Sequence, residues 1–435
     1  MNSIWKTDFP SFQPLAEDRK TDVLVVGGGI TGILCAWSLT QAGADCLLIE
    51  AGRLCSGVTA NTTAKITSQH GLKYDSLLRS LGQERAKLYL EANRDALKRY
   101  RELCRDIACD FEETDAYVYS TDDREKLEAE IAALEQLGYS AQFTSELPLP
   151  FPTAGAVRFP RQAQFHPLKF LRALCGSLEI CENTKLLQLA PGRAVTDHGT
   201  VRAENIIIAT HFPLLNKHGS YFLKLYQERS YVLALEGAPR LNGMYIDQKT
   251  GGLSFRSYEN MLLLGGGSHR TGKQSRGWKP LTEAAANYYP QAKEVCRWAT
   301  QDCMTLDDMP YIGQYSAHTP GLYAATGYGK WGMTSAMTAA TVLTDLIVKG
   351  EDPYAGLFSP SRSILHSQLA INGLEAVKNL LMPTAPRCPH LGCALKWNKQ
   401  ERSWDCPCHG SRFASNGALL NNPATDGLRR PPGQK

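Results

Sequence analysis

Six side chains that bind metal ions well lie in a short stretch near the end of the 435-residue chain: Cys388, His390, Cys393, Cys406, Cys408 and His409. The stretch holds two Cys–His pairs, Cys388-x-His390 and Cys406-x-x-His409. Zinc sites usually space paired cysteines by about two to four residues and paired histidines by about three to five. One Cys and one His in each pair instead suit a two-iron cluster, in which one iron binds two thiolates and the other binds two imidazoles. We therefore expect an iron–sulfur centre here, with a structural zinc site or a metal-free fold as the alternatives.

A glycine pattern near the start of the chain indicates a different chemistry. Gly27, Gly29 and Gly32 form G-x-G-x-x-G directly after an apolar strand and at the start of a helix. The first glycine permits a tight turn, the second lets the backbone approach a pyrophosphate, and the third lets helix and strand pack closely. Glu50 follows about 20 residues later, where a carboxylate can bind a ribose hydroxyl. The pattern predicts a dinucleotide site with the phosphates at the positive end of the helix.

The elements around these motifs are those of a mixed α/β chain. Apolar runs and helical periodicity predict a strand at 22–26, a helix at 30–41 and a strand at 45–49. Strand-like runs between 228 and 264 predict an antiparallel sheet inserted between parallel segments. The other predicted elements are two surface helices, a third apolar strand, a strand–loop–helix unit and a connector helix, at 84–104, 122–137, 204–213, 322–349 and 365–381.

Length and composition set limits on the function. A chain of 435 residues, 43% of them hydrophobic, is expected to form two or three soluble domains. The net charge of +4 gives no reason to expect nucleic acid or an anionic membrane as a partner. The first residues lack the apolar run of a signal peptide, and no segment is long and apolar enough to span a bilayer. We therefore expect a cytoplasmic protein in which the nine cysteines outside the terminal stretch are reduced thiols.

The segment after Glu50, AGRLCSGVTANTTAKITSQHG, resembles the loop that surrounds FAD in the D-amino-acid-oxidase-like flavoproteins, the glycine oxidase and sarcosine oxidase group. Four further motifs resemble this family and occur in its order: FHPLKFLRAL, NIIIAT, DDMPYIG and TGYGKWGMTSA. The resemblance implies an α/β FAD-binding Rossmann-like domain with an inserted antiparallel-sheet substrate domain, together covering residues 20–361. Its FAD-binding parts are expected at 20–80, 150–215 and 300–361, and its substrate-domain parts at 81–149 and 216–299.

The same resemblance implies roles for individual residues. It places FAD against Gly27, Gly29, Gly32, Glu50, Thr59, Gly313, Gly327, Gly332 and Met333. Lys65 and Lys330 are expected near the flavin ring, where a cation would stabilise the charge of the reduced flavin. Arg256 and His269 flank the last strands of the inserted sheet and are expected to hold a substrate carboxylate. The alternative is that all four are ordinary exposed or loop side chains, which are common for these residue types. No arginine lies in a motif that matches the family's carboxylate clamp, so an amine remains an alternative to an amino acid as the substrate.

A second glycine run, MLLLGGGSHRTG at 261–272, partly matches a fingerprint for NAD(P)H. Arg270 stands where the third glycine belongs, and its long side chain would prevent a helix from packing closely on the strand. Glycines and a proline also interrupt the sequence that follows. We therefore expect a strand and a turn near the flavin, and electrons that come from an organic substrate and not from NAD(P)H.

The two Cys–His pairs lie in CPHLGC and CPCHGS, which resemble the two boxes of the Rieske proteins. This resemblance implies a small all-β Rieske domain at 384–435, after a connector helix and linker at 362–383, with a [2Fe-2S] cluster on Cys388, His390, Cys406 and His409. It also implies a disulfide between Cys393 and Cys408, which a cytoplasmic location disfavours. Ser411 matches a serine that hydrogen-bonds the cluster, and NNPATDG at 421–427 resembles a loop that shields it. Neutral imidazole ligands raise the potential of such a cluster, which is therefore expected to accept electrons from a reduced flavin.

Together these features predict an FAD-dependent oxidoreductase of the amine or amino-acid dehydrogenase or oxidase type. A small amine or amino-acid-like substrate is expected to pass a hydride to FAD, and the cluster to pass electrons singly to an unknown acceptor. One alternative is an electron carrier or redox sensor without small-molecule turnover. Another is an oxidase that passes its electrons to oxygen and uses the Rieske module only structurally.

Overall fold

The computed structural model has three β-sheets flanked by helices and describes residues 3–215, 219–383 and 386–428. The predicted domain starts at 216 and 384, and the predicted domain end at 435, lie outside the described residues. In those ranges the α-helices are α1 Ile30–Gln41, α2 Tyr74–Leu103, α3 Arg124–Gln136, α4 Pro167–Cys175, α5 Tyr221–Lys224, α6 Lys279–Tyr288, α7 Gly332–Val348, α8 Ala355–Phe358 and α9 Ser367–Leu381. A single-turn 3₁₀ helix lies at Val58–Asn61. The helix predicted at 30–41 is confirmed, whereas α2 begins earlier than predicted because Gly82, at φ 78°, joins two helices across a kink.

The strands of the described residues follow in chain order. They are β1 Arg19–Val26, β2 Cys46–Ile49, β3 Lys65–Ile66, β4 Glu112–Ser120, β5 Gln142–Thr144, β6 Gly155–Gln164, β7 Glu179–Cys181, β8 Leu186–Ala190, β9 Arg193–Thr196, β10 Thr200–Ile208, β11 Leu225–Glu236, β12 Met244–Asp247, β13 Ser254–Tyr258, β14 Met261–Arg270, β15 Lys293–Thr305, β16 Tyr311–Gln314, β17 Leu322–Thr326, β18 Lys396–Asn398, β19 Ser403–Asp405, β20 Arg412–Ala414 and β21 Leu419–Asn421.

The first sheet brings three parallel strand ends side by side. Its order is β16-β17-β10-β1-β2-β7, with β9 also paired to β10 and β8 paired to β9. Strands β17, β10, β1 and β2 run parallel. The apolar side chains of β1 and β2 are buried, as is typical of a parallel sheet with helices on both faces. Ligands of such sheets bind beyond the carboxyl ends of the strands, and the segments after β1, β10 and β17 meet at that edge.

The second sheet is the inserted sheet that the sequence predicts. Its order is β15-β11-β14-β13-β12-β4-β6-β3, with β5 beside β6, and every pair except β12–β4 is antiparallel. Strand β6 belongs to this sheet, although the sequence assigns its residues to an FAD-binding part that begins at 150. Its partner β4 is distant in the chain, and such long-range pairing leaves no local signal.

The third sheet forms the small terminal domain, in the antiparallel order β18-β19-β20-β21. Its buried core contains Cys388, Leu395, Cys406 and Phe413. Helix α9 connects this domain to the rest of the chain, as the sequence predicts for 365–381. Among the helices that the structure describes, none has both the length and the apolar character needed to cross a membrane.

Candidate active site and metal centre

A cavity of about 990 Å³ lies at the edge where β1, β10 and β17 end. Its lining runs from the glycine turn at 27–29 to the segment 325–333, which leads into α7. Strands β11, β13, β14 and β15 of the second sheet line another side, and the terminal domain contributes Asn422, Ala424 and Thr425. The volume is at the upper end of the range for ligand pockets, about 300–1,000 Å³. The cavity therefore has walls from both halves of the chain.

The glycine turn has the geometry of a phosphate cradle. Gly27 has φ +113°, and a Cβ at this position would lie 2.7 Å from the carbonyl oxygen of Ala209. A Cβ at Gly32 would lie 1.8 Å from the carbonyl oxygen of Gly27, so α1 can pack on the turn only with glycine there. The Glu50 carboxylate accepts hydrogen bonds from the amide nitrogen of Gly28 at 2.7 Å and from that of Gly52 at 2.9 Å. The turn, the N-terminus of α1 and Glu50 thus fit the pyrophosphate and ribose of a dinucleotide.

The loop after Glu50 brings Thr59 and Lys65 to the cavity. The Thr59 hydroxyl accepts a hydrogen bond from the Ile30 amide at 3.0 Å, at the first turn of α1. The Lys65 ammonium donates to the Thr63 hydroxyl at 3.2 Å. Burial, reinforced by the positive charge of Arg256, lowers the pKa of Lys65 to about 7. Lys65 therefore changes its charge near neutral pH.

The loop before α7 brings Gly327, Lys330, Gly332 and Met333 to the opposite wall. Gly327 has φ +75°, and a Cβ there would lie 2.3 Å from the Thr305 side chain, so glycine is required for this close approach. Lys330 forms an ion pair of 2.8 Å with Glu228. The sequence predicts the lysine but not this acidic partner.

Four of the residues predicted to bind FAD or substrate do not line the cavity. Gly32 packs α1 against the glycine turn, as predicted for it, whereas the assignments of Arg256, His269 and Gly313 are corrected. Arg256 is 1% exposed and donates to the carbonyl oxygens of Ala64 at 2.8 Å and Phe165 at 3.1 Å, as well as to that of Thr63. Its guanidinium thus ties down the backbone around β3 and is not available to a substrate carboxylate.

The other two corrections follow from strand geometry. Ser268 lines the cavity, and alternation along β14 turns the next residue, His269, towards the other face. The His269 ring stacks on Tyr231 with centroids 5.8 Å apart. Gly313 lies in the edge strand β16, where a Cβ would approach the Pro360 side chain at 3.2 Å. Gly313 lies in a motif that resembles the family and His269 lies at the end of an inserted strand, but neither residue is part of the cavity lining.

The metal centre begins with two buried thiols. Cys388 and Cys406 are free, buried and within hydrogen-bonding distance of each other. The Cys406 side chain, and less strongly the backbone of His390 and the Ser411 hydroxyl, lower the pKa of Cys388 to about 7. The same hydrogen bond, together with burial, raises the pKa of Cys406, so the thiolate form that binds iron is favoured at Cys388 and the thiol form at Cys406.

The two histidine rings lie next to each other in the terminal domain, nearly perpendicular at an interplanar angle of 86°. Their ring centroids are 4.9 Å apart. Burial lowers the pKa of His390 to about 4 and that of His409 to about 3, so both rings are neutral at pH 7, as metal ligands must be. The Nδ1 atom of His409 is buried and has no hydrogen-bond partner among the described residues. A buried nitrogen of this kind fits a ligand to a metal.

The spacing of the ligand atoms argues against a single zinc ion. Within the described part of the chain, one group of three ligand atoms lies within 4.8 Å, namely Cys393, Cys406 and Cys408. Two of these form the disulfide Cys393–Cys408 that the resemblance implies. A zinc ion would gather its four ligands at about 2.0–2.3 Å from one centre. The pairs of thiols and imidazoles instead fit a larger cluster, and Ser411, which accepts a hydrogen bond from the Ala424 amide at 3.0 Å, lies beside Cys388.

Sequence reasoning missed the side chains that hold the terminal domain on the flavoprotein part. Arg270 donates to the carbonyl oxygens of Pro407 and Cys408, each at 3.0 Å. Gln227 donates to the His409 carbonyl oxygen at 2.8 Å, and Gln301 to that of Gly410 at 2.8 Å. These contacts join segments far apart in the chain, so the sequence gives no local signal for them. Of these residues, the sequence singles out only Arg270, because it stands where a dinucleotide fingerprint would have its third glycine.

An aromatic ring also joins the two parts. The Phe212 ring, in the segment after β10, lies 6.1 Å from the His390 ring and 6.4 Å from the His409 ring, measured between centroids. The Asn422 side-chain amide donates to the carbonyl oxygen of Phe212 at 3.2 Å. The neighbouring His211 lines the cavity. The segment 210–212 and the loop around 422 together thus contact both the histidines of the metal centre and the cavity.

Comparisons with known proteins identify both parts. Residues 22–346 match the family of FAD dependent oxidoreductases, and residues 363–432 match the Rieske [2Fe-2S] domain. A Bacillus subtilis (strain 168) protein described as a Rieske 2Fe-2S iron-sulfur protein, YhfW, is 35% identical over 98% of this chain and 97% of its own length. Gamma-glutamylputrescine oxidoreductase of Escherichia coli (strain K12) is 23% identical over 78% of this chain and 86% of its own.

The fold also has solved relatives. Glycine oxidase from Geobacillus kaustophilus superposes with a TM-score of 0.68 at 21% sequence identity, covering 80% of this chain and 100% of the oxidase. This likeness concerns the fold alone. Taken with the glycine turn, the cavity and the thiol–imidazole centre, the family matches show that the chain belongs to the FAD dependent oxidoreductases and carries a C-terminal Rieske [2Fe-2S] domain.

Proposed function

We propose that this oxidoreductase oxidises a small amine-bearing substrate at FAD and uses its Rieske domain as the outlet for the electrons. One observation carries the proposal: the loop that covers the metal centre is also a wall of the cavity, through Asn422, Ala424 and Thr425. FAD supplies two-electron chemistry and the cluster supplies one-electron chemistry when they are bound. A one-electron acceptor, either a partner protein or a quinone, would receive the electrons.

Different residues are assigned to bind each part of FAD and the iron–sulfur cluster. We assign the phosphates to the turn at 27–29 and the N-terminus of α1, and the ribose to Glu50. We assign the ring end of FAD to the wall made by Lys65, Lys330 and Met333. We assign Cys388, His390, Cys406 and His409 as the ligands of the cluster, with the disulfide Cys393–Cys408 joining the two ligand loops.

The substrate class is suggested by the relatives. One relative is named for gamma-glutamylputrescine and one solved neighbour for glycine, and both compounds bear an amine. We extend this feature to the present chain, whose cavity has room for a small substrate beside the cofactor. Peroxide release during turnover would instead favour the oxidase alternative, and reduction by a protein donor but by no amine would favour the carrier.

We also propose a cytoplasmic location. Cysteines 35, 46, 55, 104, 109, 175, 181, 296 and 303 are free thiols in the structure, as expected in a reducing compartment. The disulfide Cys393–Cys408 lies in the buried core of the terminal domain, where reductants have little access. Cell fractionation with an antibody to the chain tests this assignment.

The electron route can be tested without knowing the substrate. Anaerobic protein that contains both FAD and iron is photoreduced, and the flavin absorbance and the electron paramagnetic resonance of the cluster are followed together. We expect the cluster to become reduced along with the flavin. In Cys406→Ser, which removes one iron ligand, the flavin should bleach without a cluster signal. A wild-type flavin that bleaches while the cluster stays oxidised would refute the route.

A second control excludes direct reduction of the cluster by the photoreductant. Gly32→Ala should lose FAD, because its Cβ would clash with the Gly27 carbonyl oxygen. In this variant the cluster should stay oxidised under the same illumination. An anaerobic screen of amines and amino acids, followed at the flavin and cluster absorbances, then identifies the substrate class.

A further inference from the structure

Two carboxylates lie side by side on the sheet that covers the cavity. Glu228 in β11 and Asp302 in β15 are directly opposite in the antiparallel register, so their side chains project from the same face. Both line the cavity. Lys330 reaches Glu228 from the loop before α7.

The two carboxylates differ in their partners. Glu228 is neutralised by its ion pair with Lys330 and accepts a further hydrogen bond from the Ser268 hydroxyl at 2.9 Å. Asp302 has neither a hydrogen bond nor an ion pair to its side chain within the part of the chain that the structure describes. Burial raises the pKa of Asp302. Asp302 is half-buried at the cavity wall, and the positive charges of Lys330 and Arg229 only partly offset the effect of burial on its pKa. A ligand that brings an N–H donor and a positive charge would stabilise this carboxylate.

The cavity offers little to a carboxylate ligand. Among its described lining residues, the sole arginine is Arg53, which is paired with Glu182 near the glycine turn. Arg256 is bound to backbone carbonyls and lies outside the lining. Of the five described lining lysines, four already have oxygen partners, which are Asp308, Asp426, Asp122 and Glu228 for Lys73, Lys185, Lys249 and Lys330 respectively. The fifth, Lys65, donates to the Thr63 hydroxyl, and burial lowers its pKa to about 7, so it loses its charge as pH rises through neutrality. A guanidinium free to bind a carboxylate is therefore missing from the described lining of the cavity.

We infer that the substrate is held through an ammonium group by Asp302, with Glu228 beside it, and that it is an amine or diamine and not an α-amino acid. The inference rests on the proposed function and makes its substrate class more specific. Asp302 determines this specificity by supplying the negative charge that remains after Glu228 has paired with Lys330. An α-carboxylate would meet Asp302 as a like charge at the half-buried cavity wall, which disfavours binding.

Four small probes separate the charges that the inference depends on. Butylamine carries one ammonium, 1,4-diaminobutane adds a second, norvaline adds an α-carboxylate to butylamine, and butyrate carries the carboxylate alone. Each is titrated anaerobically into FAD-loaded protein, and its dissociation constant is read from the change in the flavin spectrum. Asp302→Asn keeps the shape of the side chain and removes the charge. Asp106→Asn removes an exposed carboxylate elsewhere and serves as the matched control.

We expect the two amines to bind wild-type protein more tightly than norvaline and butyrate. A hydrogen bond to a charged group is worth enough to change affinity by about 10- to 150-fold, so Asp302→Asn should weaken the amines by at least about tenfold. Asp302→Glu should restore part of the affinity, and Asp106→Asn should leave it unchanged.

Three results would overturn the inference: norvaline binding more tightly than butylamine, equal amine affinity in Asp302→Asn and wild type, or no spectral change with any probe. Each of these is independent of the photoreduction experiment, which uses no substrate. A cluster that accepts electrons from the flavin in a protein without amine preference would leave the electron route standing and remove only the assignment of Asp302.

Discussion

Glu401 joins the terminal domain to the flavoprotein part through buried charge. Its carboxylate pairs with Arg229 of β11 and, at 2.8 Å, with Arg412 of β20. The three side chains are 9%, 5% and 6% exposed, respectively. In Glu401→Gln, Arg412 keeps its pair with Asp405 at 3.0 Å, whereas Arg229 loses its only ion-pair partner in the described structure.

The magnitude follows from this asymmetry. Removing one partner of a buried pair costs about 3–5 kcal/mol, because an uncompensated charge stays buried. A cost of about 3 kcal/mol corresponds to a change of about 150-fold in the equilibrium that keeps the domains in contact. Photoreduced flavin should then pass electrons to the cluster more slowly, since part of the population has the terminal domain detached.

The assay is urea unfolding of the FAD- and iron-loaded protein, followed separately at the flavin and cluster absorbances. We expect the midpoints of both transitions to move to lower urea concentrations in Glu401→Gln, with the cluster lost at a lower urea concentration than the flavin. Glu283→Gln is the control, because its pair with Arg276 has side chains 47% and 60% exposed, and such pairs are worth about 0–1 kcal/mol. Equal transitions in Glu401→Gln and Glu283→Gln would refute the argument.

The pH dependence has a definite sign. Burial alone would raise the pKa of Glu401, but Arg229 and Arg412 hold it below its usual value. Such a carboxylate stabilises the native structure above its unfolded pKa of about 4.3, and the stabilisation is lost as pH falls through the lower folded pKa. The difference in stability between wild type and Glu401→Gln should therefore be full at pH 7 and shrink below about pH 4. A difference that is independent of pH would show that the ion pair is not its cause.

Three further outcomes are expected. Gly32→Ala should be purified without FAD and with its iron–sulfur absorbance retained, because the clash is confined to the glycine turn. The pKa of Lys65 is lowered to about 7, so its positive charge is lost as pH rises through 7. The affinity for amines should therefore increase between about pH 6 and 8, as measured by the change in the flavin spectrum. Lys65→Met should show no such increase. Arg256→Met should lower the free energy of unfolding by about 1 kcal/mol for each of the buried carbonyl oxygens that it leaves unpaired. The same variant should keep the relative affinities of butylamine and norvaline, whereas a selective loss of norvaline binding would restore the carboxylate assignment.

The sequence was most informative where one short segment forms a complete unit. The turn at 27–32 needs only a strand, three glycines and a helix, all adjacent in the chain, and the structure shows that geometry. The two Cys–His boxes are equally local, and they come together with the disulfide Cys393–Cys408 in place. The role of each residue in binding FAD or the cluster remains a prediction.

The sequence was less informative where a role depends on which distant segment lies nearby. Arg256 sits on the predicted strand, but the backbone at 63–65 covers its guanidinium. His269 is turned away from the cavity by the alternation of β14, which its position near the end of a predicted strand does not specify. The sequence does not predict Asp302 as a site residue, because its position in the site depends on its register opposite Glu228.

Two glycines at the contact between the domains bear on how freely such domains can be exchanged. A Cβ at Gly410 would lie 2.5 Å from the Gln227 side chain, and a Cβ at Gly272 would lie 2.6 Å from the Pro407 backbone nitrogen. Each half of the chain thus leaves out a side chain to make room for the other. A Rieske domain taken from another protein would meet a surface already shaped for this one, so the two halves behave as a matched pair and not as interchangeable modules on a linker.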